Sequence, residues 1–224
     1  MPHWRRPEAL ARTVAEYERL YSDLPYELSI CDDGSPLRGR LPKQVTLTRL
    51  PTKRTPLNPC VPINRAVAAS SGEIIVLTNP EMEHRTPLLP ALLTLLEDPR
   101  DYVIAPAKDI ERGIWLAGPE VDYSTGGRRA VPPGGHFHFL VAFRRTLWER
   151  AGGFDEDYRS GQGCDDNDWL WRVYAAGARF RVAPVVVWHH DHALRWGLPL
   201  NRELFERKWP PARRADLAAN RRAA

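Results

Sequence analysis

Apolar residues recur at three-to-four spacing between positions 7 and 22. Leu10, Val14, Tyr17, Leu20 and Tyr21 fall on one face and Pro7 suits the first turn, so the pattern predicts an amphipathic helix. The period then shortens. Residues 26–31 read as a strand that ends in Asp32-Asp33-Gly34-Ser35-Pro36, a turn signal. Residues 44–50 alternate as a second strand, and a Pro-rich loop follows from 51 to 62. A helix over 63–71 leads into Ile74-Ile75-Val76-Leu77, the most strand-like run of the chain, which stops at Thr78-Asn79-Pro80-Glu81. Beyond it the pattern predicts a helix over 86–97 and a strand over 102–107. From 108 to 135 it loosens around Gly126-Gly127 and Pro132-Pro133-Gly134-Gly135, as expected of a loop or small irregular strands. A strand over 137–143, a helix over 144–151 and a helix over 166–176 capped by Gly177 come next. Residues 178–188 are strand-rich and end at His189-His190-Asp191-His192. The alternation predicts an α/β domain over 1–200 with a mostly parallel sheet, followed by a helical, Arg-rich, solvated tail over 201–224.

At 224 residues, 43% hydrophobic and 27% charged, the chain can bury a full core. The net charge of +4 comes from arginines spread along the chain, with no basic helix, which argues against a nucleic-acid partner and suits anionic phosphates. Cys31, Cys60 and Cys164 are odd in number and lack metal-ligand spacing, so a disulfide framework and a zinc site are not expected. No apolar run approaches a membrane span and no signal-peptide core is seen; the expected location is cytoplasmic, with peripheral contact at the inner membrane face left open by the basic tail.

Chemistry concentrates in Gly152-Gly153-Phe154-Asp155-Glu156-Asp157-Tyr158 and Gly161-Gln162-Gly163-Cys164-Asp165-Asp166-Asn167-Asp168. Acids so crowded repel one another unless a cation, a donor-rich ligand or a catalytic duty accounts for them. Capping of the helix that follows explains one or two of them, not all. Asp32-Asp33, Asn79/Glu81, Asp165-Asp166 and the histidine cluster each follow a strand or loop in the same sense, and in a parallel sheet such ends converge on one face.

In this order, Tyr26 to Ser35, Asn64-Arg65-Ala66, Gly72 to Leu77, Gly152 to Tyr158 and Gly-x-Gly-x-Asp-Asp-x-Asp over 161–168 resemble the inverting family-2 glycosyltransferases of the GT-A fold. The resemblance covers roughly residues 5–192. It implies a nucleotide-sugar donor, Mn²⁺ or Mg²⁺, and a carbohydrate, lipid-linked or small-molecule hydroxyl acceptor. It places Asp33 or Asp32, with Asn64, at the nucleotide. Asn79-Pro80-Glu81 stands where the family has Asp-x-Asp, so a metal held by Asn79 and Glu81 is expected to bind more weakly. Asp166, with Asp165 as its competitor, matches the catalytic base. His190 or His192 matches a metal or phosphate contact, or serves the fold. His84 is expected at the surface, and Asp168 and Arg172 are expected to fix the helix N-terminus. One element of the family is not seen: no strand of four or more apolar residues precedes Pro7. A true start upstream, a partner segment in the slot, or a non-catalytic binding or scaffold protein are the alternatives this raises.

Overall fold

A computed structural model describes residues 1–35, 41–51, 58–117, 139–191 and 200–223. Its elements run β1 (Pro2–His3), α1 (Pro7–Leu20), β2 (Leu28–Asp32), β3 (Val45–Arg49), α2 (Cys60–Ala68), β4 (Ile74–Thr78), β5 (Met82–Glu83) and α3 (Leu89–Leu93). There follow β6 (Asp101–Ile104), β7 (Ala107–Asp109), β8 (Trp115–Ala117), β9 (Leu140–Arg144) and α4 (Arg145–Ala151). A 3₁₀ turn (Glu156–Ser160), α5 (Asp165–Ala175), β10 (Arg179–Val182), β11 (Val187–His189), α6 (Arg202–Lys208) and α7 (Pro211–Ala223) complete the chain.

Three sheets form. The first is parallel, in the order β1-β2-β3; the second is mixed, in the order β10-β6-β9-β4, with β9 antiparallel to both its neighbours. The third, β5-β11-β7-β8, brings strands between Met82 and Ala117 against Val187–His189, beside the histidine cluster. Helix α1 buries Leu10, Val14 and Tyr17, the stripe read from the sequence, and its Pro7 sits in the first turn where no amide partner is lost. At its end Tyr21 Oη lies 2.6 Å from His84 Nδ1 and accepts from the Leu88 amide. His84 is therefore buried, not at the surface, and burial holds its imidazole down at about 4.

Two expectations change. The slot beside β2 is not empty: Pro2 and His3 pair with Cys31 and Asp32 as a two-residue parallel strand, too short to register as an apolar run. Nor is the tail merely solvated, because Phe205 and Trp209 are buried in the main core. Trp209 Nε1 donates to Asp168 at 2.7 Å, which ties the end of α6 to the first turn of α5. Among the described residues no helix is long and apolar enough to cross a membrane.

The loop between α4 and the 3₁₀ turn depends on Gly153. Its φ is +67°, and a Cβ there would lie 3.0 Å from Trp148 Cζ2 and 3.1 Å from Asn64 Oδ1. Trp148 belongs to an aromatic stack with Trp169 and Phe154, so it has little room to retreat. Gly153→Ala is expected to destabilise the chain by more than ~1 kcal/mol, read as a lower denaturation midpoint at unchanged slope. A midpoint equal to that of the parent would contradict the close approach.

Candidate functional site

Three of the acidic or polar segments singled out in the sequence meet around one open cavity of about 500 Å³. Asp33 follows β2, Asn79 and Glu81 follow β4, and Asp165 and Asp166 open α5; all five line it. The cavity also takes residues the sequence did not single out for this role, namely Arg6, Asp109, Arg112 and His189.

Asp165 and Asp166 sit in the first turn of α5, where the amide ends favour negative charge. Cys164 precedes them at φ +65°, a left-handed turn that sends the chain into the helix. Asn58 Nδ2 donates to Asp165 Oδ1 at 3.0 Å, and Asp166 Oδ1 accepts from the Asn167 amide at 2.8 Å. Burial raises both carboxyls above the ordinary range. Asp166 is raised further by the neighbouring Asp165 charge, and it is the one held well above that range. A half-buried carboxylate raised in this way is suited to accept a proton.

The loop that carries these acids is held from behind by three asparagines. Asn58 Nδ2 also reaches the Gly161 carbonyl. Asn64 donates to the Phe154 carbonyl and to Glu156, and its Oδ1 accepts from the Phe154 amide. Asn201 donates to the carbonyls of Tyr158 and Gly163. Asn64, expected at the nucleotide, is taken up by the Gly-Gly-Phe-Asp loop and is not brought to this cavity. Asp168 behaves as expected: it accepts from Arg172 Nε at 2.6 Å, one turn on along the helix.

Of the two acids after β2, only Asp33 lines the cavity. Asp32 lies with its Oδ1 3.0 Å from His3 Nδ1, both side chains fully buried, and it accepts from the Ser35 amide. The Asx-type turn and the His3 pair take up Asp32, while Asp33, equally buried, lines the cavity. The histidines divide similarly. His189 lines the cavity, whereas His190 turns its Nε2 to Glu83 at 2.7 Å. His192 and the loop 118–138 lie outside the described residues.

The Asn-Pro-Glu turn is fixed by Thr13 Oγ1, which donates to the Pro80 carbonyl at 2.7 Å, and by an ion pair between Arg6 and Glu81 at 2.7 Å. Mn²⁺ and Mg²⁺ ask for several hard oxygen ligands. Here one neutral amide oxygen stands beside a carboxylate already engaged by a guanidinium. Among the described residues no group of three or more His, Cys, Asp or Glu side chains is placed to hold a metal. As arranged, these side chains do not fit a metal held by the protein alone. The positive charge on this side of the cavity comes instead from Arg6 and from Arg112, which pairs with Asp191 at 2.8 Å.

No family model matches the chain. Among solved structures, a mannosyltransferase from Pyrobaculum calidifontis, in complex with GDP-Man and Mn²⁺, superposes with a TM-score of 0.59 at 20% identity, over 87% of this chain and 56% of that one. GalNAc-T7 with UDP, GalNAc and Mn²⁺ gives 0.58 at 14% identity, over 84% and 42%.

The fold is GT-A.

Within the GT-A frame, the cavity lies at the ends of β2 and β4, where an open α/β sheet binds its ligands. Among curated proteins the chain is similar to a pre-mycofactocin glycosyltransferase of Mycobacterium tuberculosis, 28% identical over 144 residues. That match takes in 60% of this chain but only 30% of the relative, so the chain spans about a third of the length of the protein it resembles. The same protein from a second strain of that organism matches equally. His3, Arg6 and His189 line the cavity and escaped the sequence reading. The first two lie in a hexapeptide that shows no apolar run, and the third differs from the chosen histidine by one position.

Proposed function

We propose that the chain transfers a sugar from a nucleotide-sugar donor to a hydroxyl acceptor with inversion at the anomeric carbon. The observation that carries this reading is the convergence of Asp33, Asn79, Glu81, Asp165 and Asp166 on one cavity of about 500 Å³ within a GT-A fold. The relatives' names and bound ligands point the same way.

In this reading Asp33 accepts hydrogen bonds from the nucleoside. The diphosphate faces Arg6 and Arg112, whose forked donors match phosphate oxygens. Asn79 offers its amide to a sugar or phosphate oxygen. The acceptor hydroxyl lies against Asp166. As its oxygen bonds to the anomeric carbon, the bond from that carbon to the diphosphate breaks on the opposite face. The hydroxyl proton passes to Asp166, and the nucleoside diphosphate leaves with the electron pair. Asp165, anchored by Asn58, keeps the Asp166 carboxyl basic by repulsion. A cytoplasmic enzyme acting on a carbohydrate, lipid-linked or small-molecule acceptor is the setting this chemistry implies.

The test is a thermal-shift screen of nucleoside diphosphates and nucleotide sugars, each with EDTA and with Mn²⁺. A ligand at 100 times its Kd stabilises the fold by ~2.7 kcal/mol, a readily seen rise. One nucleotide class is expected to raise the midpoint, and Arg6→Ala to reduce that rise. A rise that requires Mn²⁺ would mean that the diphosphate supplies oxygen ligands that these side chains lack. A flat screen under both conditions would overturn the transferase reading.

A further inference from the structure

Beside the first cavity, and sharing Trp4, Arg6, Glu81 and Asp191 with it, lies a second of about 500 Å³. Arg5, Glu8, Ala9 and Arg12 line the second and not the first. Its wall carries donors without acceptors. Nε and Nη2 of Arg12 and Nε1 of Trp4 are buried and, among the described residues, have no hydrogen-bond partner. A guanidinium only donates, so shielding its N–H groups from water without an acceptor costs stability. Helical spacing offers Arg12 two carboxylates, and it takes neither. Glu8 lies one turn before it, in the order that favours an ion pair, yet the two do not pair. Glu16, one turn beyond, accepts from the His84 amide at 3.0 Å.

The other charges around this cavity are engaged elsewhere. Glu81 pairs with Arg6 at 2.7 Å and Asp191 with Arg112 at 2.8 Å. Glu111 accepts from the Asp191 amide at 3.1 Å, and His190 is held by Glu83 at 2.7 Å. Arg5 and Arg12 are left against the carboxylate of Glu8. The first turn of α1 opens on the same space through Glu8 and Ala9, and Arg6 at its N-cap supplies no side-chain cap, so the positive end of the helix adds to the field. We propose that this second cavity is an oxyanion site that takes a phosphoryl group, with Arg12 and Arg5 as forked donors and the Trp4 indole as a further one. A phosphoryl group presents three acceptor oxygens, enough for both guanidiniums and the indole at once, where a carboxylate presents two. Arg5 reaches it from its place over the Trp4 ring, 5.0 Å from the centroid. The group has two sources, free phosphate or a phosphate ester. Because the cavities share a wall, an ester seated at Arg12 can extend a hydroxyl into the first cavity. That use of the site rests on the transferase reading; the site itself does not.

The experiment measures binding of inorganic phosphate and of glycerol phosphate to the full chain by calorimetry, at an ionic strength held constant with chloride. Arg12→Gln is expected to weaken both by about tenfold or more. Arg5→Gln, at an exposed position where the fold is not disturbed, is expected to weaken both by less. Arg112→Gln, whose guanidinium lines only the first cavity, is expected to leave both nearly unchanged. Tighter binding of the ester assigns the site to a substrate's phosphate, and equal affinity assigns it to the free ion; either upholds it. Binding that survives Arg12→Gln and is lost in Arg112→Gln would put the anion in the first cavity and overturn the proposal. So would the absence of binding to the parent at millimolar phosphate. The nucleotide screen fails separately. A flat screen beside phosphate binding that Arg12→Gln abolishes removes the transferase reading and leaves this site, and the reverse pattern removes this site alone.

Discussion

Asp166→Asn is expected to lower sugar transfer by about 10²–10⁴-fold, the usual contribution of a positioned base, while donor affinity stays within a few-fold. The amide preserves size and can still accept from the Asn167 amide, so what is lost is the capacity to take a proton. The same variant is expected to melt higher than the parent at neutral pH. Burial and the Asp165 charge raise the Asp166 carboxyl well above its ordinary value of 3.8. A carboxyl raised in the folded state favours folding while it is protonated, and that contribution is lost as pH rises through the folded value. The parent thus carries an unfavourable ionisation at pH 7 that the amide lacks, and the difference in midpoint should close as the pH falls below about 4. In the parent, activity should rise with pH along a limb that lies above the ordinary carboxylate range. Equal transfer by Asp166→Asn with the identified donor would remove Asp166 from the mechanism and turn attention to Asp165.

The largest loss of stability is expected from Asp168→Ala. Asp168 is buried and accepts from Arg172 Nε at 2.6 Å, Trp209 Nε1 at 2.7 Å and Tyr158 Oη at 3.4 Å. Removing it leaves an indole N–H and a phenol inside the core and deprives Arg172 of one of its two carboxylates, the other being Asp155 at 2.9 Å. Breaking a buried pair from one side costs about 3–5 kcal/mol. Arg172 keeps Asp155, so the lower end applies; at about 3 kcal/mol the midpoint should fall by about 6–12 °C for a chain of this size. Asp168→Asn keeps an acceptor for Trp209 and should lose less. A fall of under about 2 °C in the alanine variant would show that α6 is docked by Phe205 and Trp209 packing without this anchor.

Much of the fold was legible because its elements carry strong periodicity. The stripe on α1, the alternation in β3 and the apolar run of β4 each appear where the pattern placed them. The acidic ends of β2, β4 and the turn into α5 also converge as a parallel arrangement requires. What escaped has a physical cause in each case. β1 is two residues long and is defined by backbone pairing, to which side-chain pattern is blind. Helix α3 is five residues, far shorter than its apolar run of 86–97 suggested, because successive i→i+3 turns tighten its end. Trp209 and Phe205 lie in a stretch rich in arginine, and composition hid their burial. Asn64 sits in a motif that suggested ligand contact, yet its amide donates twice and accepts once within a neighbouring loop. His189 and His190 differ by the single step that exchanges the two faces of a strand.

For the proposed reaction, the three asparagines that hold the acidic loop also set when its entropy is lost. Asn58 just precedes α2 and Asn64 lies within it, while Asn201 stands far along the chain, and each fastens a different carbonyl or carboxylate between Phe154 and Asp165. The freedom of that loop is surrendered once, when the chain folds, rather than at every turnover. In the proposed reaction, an acceptor arriving at Asp166 would meet a carboxylate whose backbone is already ordered, and its binding energy would not be drawn down by organising that carboxylate.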